Sequence, residues 1–234
     1  MKIALCFAGQ LRFVNEYSKY IIDNIIKLHD VDVYGHFWWD ESMLNKPFHH
    51  EFNDLYKENI EDFKKIYSPK KLVYEDKFKK NNSICLPKCV ERDMSLTQEQ
   101  CEKAIFNMKS QFYSVQQCYK LIENPSQYDF IIRIRSDCYI KSPLILDAVN
   151  KDTLYIQNGY CAGRDRRFCD WFALGNHTVM EKYCDTYNYI DTYYINGVIH
   201  MHKFIENVVN DFNVNVVDYE FNVPINHSYY NIHK

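Results

Sequence analysis

The chain has 234 residues, 47% hydrophobic and 25% charged, enough for one large α/β domain or two small ones. Its formal net charge of −3 excludes a global basic field for nucleic acid or an anionic membrane. Nine irregularly spaced cysteines exclude a secreted disulfide framework, and no stretch nears the roughly 18 apolar residues of a membrane span.

The apolar start Ile3–Ala8 is too short for a signal peptide, so a soluble chain in a reducing, cytoplasmic compartment is expected. Lys2–Phe7 reads as a strand, followed by a turn at Ala8-Gly9-Gln10. Val14, Tyr17, Ile21, Ile25 and Leu28 recur at helical spacing, which predicts a helix from about Phe13 to Leu28. Val31–Phe37 is a second strand, so the chain opens as βαβ, the start of a parallel sheet. Glu51–Ile66 has helical character, and Lys71–Tyr74, after Pro69, is a short third strand. Residues 76–100 are polar and irregular and are expected to form a flexible insertion. Helical spacing returns over Ala104–Ile122, with Phe106, Phe112, Val115, Tyr119 and Ile122. Pro125 ends that helix, and the strand Tyr128–Ile134 follows. Short strands at Thr153–Gln157 and Trp171–Leu174 flank a loop containing Gly159 and Gly163. Helices at His177–Tyr187 and about Asn196–Val209, then a strand at Asn213–Val217, complete the reading. No repeat, low-complexity tract or linker interrupts the chain. The expectation is a single α/β domain over residues 1–234, with a mostly parallel central sheet flanked by helices.

The chemistry collects at the strand ends. In YDFIIRIRSDCYI, residues 128–140, an apolar run suited to a strand buried on both faces leads into Arg133, Arg135 and Asp137. Charges at the carboxyl end of a buried strand are costly unless they serve a ligand, and open α/β sheets bind ligands there. Two arginines and an aspartate point to a phosphate-rich ligand, with Asp137 as candidate ligand to a divalent cation. The alternative is a structural salt-bridge cluster.

At the first strand end, the small residues Ala8 and Gly9, followed by Gln10, let the backbone approach a ligand. The next helix presents its N-terminal N–H groups to phosphate, and Arg12 adds a bidentate clamp. This is neither a GxGxxG fingerprint nor a P-loop. The second strand ends in His36-Phe37-Trp38-Trp39-Asp40, where Trp39 stacking and an Asp40 hydrogen bond suit a base or sugar; the alternative is that the rings cap the core. Ser110, Ser114 and Gln117 share one helical face, with Gln111 beside them. That stripe suits a ribose or base, or else solvent. Asp170 opens a strand after Arg164, Arg166 and Arg167 and is the candidate general base on an acceptor hydroxyl, or a partner of one of those arginines. His200-x-His202 with Glu206 is discounted as a metal site, because residues i and i+2 on a helix do not face one another. Cys85-x₃-Cys89 with Cys101 lacks a fourth zinc ligand.

Five segments in order, IALCFAGQLR (3–12), VDVYGHFWWD (31–40), SQFYSVQQCYKL (110–121), YDFIIRIRSD (128–137) and DWFALGN (170–176), resemble a family of GT-A-fold glycosyltransferases. That family occurs in large DNA viruses and in bacterial lipopolysaccharide and capsule gene clusters. The resemblance implies a GT-A (Rossmann-like) fold, with a nucleoside-diphosphate sugar donor, UDP- or GDP-sugar foremost, over residues 1–140. It implies a glycan acceptor over residues 141–234 and a divalent cation, Mn²⁺ or Mg²⁺, on a DxD-like motif. That motif is Arg135-Ser136-Asp137 here, so only Asp137 carries over as metal ligand. Arg12, Arg133 and Arg135 would hold the diphosphate, Asp40 and the Ser110–Gln117 face the nucleoside, and Asp170 the acceptor. The implied reaction is sugar transfer to a glycan hydroxyl, inverting because a single base suffices. Two other classes compete. A nucleotidyltransferase normally wants a second metal-binding carboxylate and a Gly/Lys-rich first loop, which AGQLR does not supply. A non-catalytic glycan- or nucleotide-sugar-binding protein derived from a transferase would explain the missing first carboxylate.

Overall fold

A computed structural model of the chain describes residues 1–45, 47–49, 52–55, 57, 59–76, 98–138, 140–157, 159–161, 164–166, 170–195, 205, 207–210 and 216–219. Strand β1 (Lys2–Gln10) leads through helix α1 (Val14–Asn24) into β2 (Asp30–Trp38). A small hairpin of β3 (Pro47–His49) and β4 (Phe52–Leu55) precedes α2 (Ile60–Tyr67) and β5 (Lys71–Glu75). Helix α3 (Gln98–Lys120) then leads to β6 (Phe130–Ile134) and β7 (Leu154–Gln157). Another hairpin, β8 (Gly159–Cys161) with β9 (Arg164–Arg166), precedes β10 (Phe172–Gly175), α4 (His177–Cys184), α5 (Ile190–Ile195) and β11 (Val216–Tyr219).

One mixed sheet has the order β11-β7-β10-β6-β1-β2-β5. β10 pairs antiparallel with both neighbours and every other pairing is parallel, so β10 alone runs backwards. The chain first moves outward from β1 to β2 and β5, then returns to lay β6 on the opposite side of β1. Right-handed crossovers in opposite directions place their helices on opposite faces. Accordingly, α1 and α2 pack with Ile3, Leu5 and Phe7 of β1, while α3 and α4 pack with Ala4, Cys6 and Ala8. The alternation along β1 is therefore large residues on one face and small ones on the other. The small side brings α3 close over the sheet centre, with Phe112, Val115 and Cys118 buried against it. The crevice between the carboxyl ends of β1 and β6 is the topological switch point, where open α/β sheets bind ligands.

The sequence reading places most of these elements, with several corrections. The predicted helix to Leu28 stops at Asn24, a 3-10 turn follows over Ile26–Leu28, and Leu28 is exposed. The N-terminal part of Glu51–Ile66 is the strand β4, and the helix starts only after Asn59, whose side chain accepts from the Glu61 N–H. Part of the expected loop around Gly159 is the β8–β9 hairpin. Helix α3 begins at Gln98, within the segment read as an insertion, and residues 77–97 lie outside the described residues. So do Gly163, residues 196–204 and residues 213–215 of the last predicted loop, helix and strand. No helix among the described residues is long and apolar enough to cross a membrane.

Candidate functional site

The site is assembled by four chain segments meeting at the switch point. β1 ends in Gly9, whose φ of +118° suits glycine, and a Cβ there would stand 2.9 Å from Gln111 Oε1 of α3. The turn continues through Arg12 to Phe13, a non-glycine residue at φ 49° that caps α1 without a side-chain hydrogen bond. Two left-handed residues thus bracket Arg12, the kind of backbone strain that concentrates at functional loops. The Arg12 N–H donates to Ser136 Oγ at 2.9 Å, stitching the β1 turn to the turn after β6. Its guanidinium donates to Gln10 Oε1 and faces Asp137 Oδ2 at 3.6 Å.

After β6, the Arg135 guanidinium grips both oxygens of Asp137. Nε donates to Oδ1 at 2.7 Å and Nη2 to Oδ2, a fork-to-carboxylate pair of the strong bidentate kind. Asp137 is buried. Burial works against its charge, but Arg135, by attraction and hydrogen bonding, and then Arg12 hold its carboxyl below the usual range. Burial likewise opposes the Arg135 charge, and Asp137 with Asp170 more than offsets it, so the guanidinium stays protonated. Because β10 is antiparallel, its start lies beside the end of β6, and Asp170 Oδ2 comes to 3.9 Å from Arg135 Nη1. The Arg135 N–H bonds to the Trp171 carbonyl, which fixes the two segments together.

Arg133 is the most deeply buried of the three arginines. Its register partners are Cys6 and Ala173, small side chains on the α3–α4 face, and they leave room for a guanidinium inside the protein. The residue is 1% exposed, and Nε, Nη1 and Nη2 have no hydrogen-bond partner among the described residues. Nearby, the buried Tyr183 hydroxyl of α4 also lacks one. Burial pushes that hydroxyl up, Arg133 pulls it down and Asp170 raises it again, so it keeps its proton at neutral pH. Gln111 Nε2, over the Gly9 turn, is a third buried donor without a partner. Donors that have lost water and gained nothing are rare in folded proteins, and each needs an explanation.

Other predicted site residues carry structural hydrogen bonds and packing. Ser114 is fully buried, and its hydroxyl accepts from the Gly9 N–H at 2.7 Å while lying 2.7 Å from the His36 carbonyl and 3.0 Å from His36 Nδ1. It has no capacity left for a ribose. His36 Nε2 continues to Glu75 Oε1 at 2.9 Å, a Ser-His-Glu connectivity that is inert as a nucleophile relay because the hydroxyl is enclosed and fully engaged. Ser110 is buried and donates back to the Phe106 carbonyl. Trp39 is buried in the core with its ring edge-on to Tyr74, as in the core-capping alternative for this ring. The Asp40 side chain accepts from the Ser42 N–H at 2.6 Å and caps the following 3-10 turn. Ala8 packs beneath α3. The switch point therefore gathers Gly9, Gln10, Arg12, Gln111, Arg133, Arg135, Asp137 and Asp170. Sequence reasoning missed Ser136 and Tyr183; Ser136 stood inside the quoted RSD, but nothing in the local pattern marks Tyr183.

A divalent cation does not fit this donor set. Both Asp137 oxygens already accept from Arg135, and Asp170 Oδ2 faces the same guanidinium. Among the described residues no group of three or more His, Cys, Asp or Glu side chains is arranged to hold a metal ion. An ion with two charges about 4 Å from a guanidinium is opposed by roughly 8 kcal/mol at an effective dielectric of about 20. Asp137 and Asp170 attract such an ion about as strongly as two of the arginines repel it, and the third arginine leaves the balance against a cation.

No protein-family model and no curated protein matches the chain. Fold and site together describe an α/β protein whose mixed sheet is compatible with a Rossmann-like fold and which carries arginines at its switch point.

Proposed function

We propose that the chain is a glycosyltransferase of GT-A type, moving a sugar from a nucleoside-diphosphate sugar to a hydroxyl of a glycan acceptor. The observation that supports this most is Arg133, a buried guanidinium without a partner at the switch point of a largely parallel sheet. An unpaired buried charge is maintained only if the working state supplies its counter-charge. With Arg12 and Arg135 at the same strand ends, three arginines face two aspartates, and the net positive charge favours an anion such as a diphosphate.

In this reading the arginines hold the diphosphate and stabilise the charge that grows on it as the sugar C1–O bond breaks. Gln111 Nε2 and the Gly9 turn line the nucleotide end. Asp170, on the β10 side, takes the proton of the acceptor hydroxyl as the new glycosidic bond forms, which inverts the anomeric centre. The test is chromatographic detection of free nucleoside diphosphate and extended glycan from a panel of sugar nucleotides and acceptors. Asp170→Asn is expected to lower kcat at least about 100-fold with little change in donor affinity. Full transfer by Asp170→Asn sinks the base assignment, and accumulation of a sugar nucleotide from sugar phosphate and nucleotide favours nucleotidyl transfer instead.

A further inference from the structure

We infer that this site binds the diphosphate of its donor without a divalent cation, the Arg135 guanidinium standing where a cation would stand. The inference rests on the transferase reading and specifies its cofactor requirement. A metal-bridged diphosphate needs carboxylate oxygens open on the ligand side. Here both oxygens of Asp137 are held by Arg135, Arg12 approaches the same carboxylate from the β1 turn, and Asp170 Oδ2 faces Arg135 as well.

An anion meets the same geometry with the opposite sign. The planar fork of arginine has five donors and matches phosphate oxygens as well as carboxylate. Arg135 uses one edge on Asp137, with Nη1 directed towards Asp170 at a long 3.9 Å, so donors remain for phosphate. Arg133 lies two residues deeper on the strand and contributes three nitrogens that bind nothing else among the described residues. Asp137 then acts as a positioning residue: it holds Arg135 extended and charged at the strand end rather than ligating an ion. A fixed positive charge of this kind stabilises a leaving diphosphate without reorganising.

The test is isothermal titration of the full chain with UDP, GDP and dTDP, in excess EDTA and again in Mn²⁺. The expected result is a dissociation constant for the preferred nucleotide that is the same in both buffers within about threefold. Arg135→Gln is expected to weaken binding at least about tenfold in both, with Mn²⁺ giving no rescue. Arg135→Asp, which rebuilds a pair of carboxylates flanking Ser136, is expected to bind poorly in EDTA and to recover with Mn²⁺. Ligand-free melting establishes that each variant is folded; should either unfold, the wild-type comparison decides alone. Wild-type binding that requires Mn²⁺, or tightens about tenfold or more with it, overturns the inference and leaves the transferase reading standing. Absence of binding in both buffers overturns both.

Discussion

Replacing Arg133 with methionine separates what this position costs the fold from what it gives the site. The guanidinium is buried over Cys6 and Ala173 with all three nitrogens unpaired among the described residues. In the ligand-free protein that desolvation is uncompensated, and an unpaired buried donor costs about 1–3 kcal/mol, more when charged. Methionine has comparable reach, no strong donor, and fills irregular gaps. Arg133→Met is therefore expected to raise ligand-free stability by about 1–3 kcal/mol. For a chain of this size each kcal/mol moves the melting temperature by about 2–4 °C, so the middle of the range is a rise of roughly 4–8 °C. The same change removes the deepest cation of the site. Losing one partner of a buried charge pair costs about 2–5 kcal/mol of binding, at least about 30-fold in nucleotide affinity. Urea unfolding and calorimetric titration of the two proteins measure both numbers. A variant that is about 2 kcal/mol or more less stable, or that binds nucleotide as well as the wild type, refutes the reasoning from the unpaired guanidinium.

Other outcomes follow from the same geometry. Gly9→Ala forces a side chain into a φ of +118° and against Gln111, and is expected to cost about 1–3 kcal/mol by urea unfolding and to weaken nucleotide binding. Ser114→Ala strands the Gly9 N–H and removes a partner of His36, for an expected loss of about 2–4 kcal/mol in the same assay. The Asp137 carboxyl is held below its ordinary 3.8, so its contribution to stability is complete above that pH and is lost as pH falls through the lower folded value. Asp137→Asn is expected to remove that part of the acid dependence when unfolding free energy is followed below the ordinary value. Cys6, Cys118, Cys138 and Cys184 are buried, and burial pushes the last three thiols up. Iodoacetamide mapping by mass spectrometry is expected to find all four unmodified in the native protein and modified in denaturant; native modification of any one would contradict its burial.

The parts legible in the sequence were those whose signal is local. IALCFAG and FIIRI are apolar runs long enough to be buried strands, and the two-residue period of a strand by itself puts Arg133 and Arg135 on one side of β6. Legibility failed where a partner is distant. A hydroxyl in a helical stripe looks the same whether it faces water or a sheet; Ser114 is enclosed because Ala4, Cys6 and Ala8 let α3 settle onto β1. Phe52–Leu55 is a strand because Pro47–His49 pairs with it, and its composition reads as helix in isolation. Spacing in RSD also hides the contact that matters, since residues i and i+2 meet only when a turn brings them round, as Arg135 and Asp137 do. Tyr183 comes near Arg133 only through the packing of α4 on the same face of the sheet.

Whether a diphosphate is held at the β1–β6 switch point is answered by a crystal structure of the chain with the sugar nucleotide that most raises its melting temperature. The predicted result is a diphosphate beyond the carboxyl ends of β1 and β6, its oxygens accepting hydrogen bonds from Arg12, Arg133 and Arg135. A nucleotide bound elsewhere, or an occupied switch point with the Arg133 guanidinium still unpaired, would contradict it.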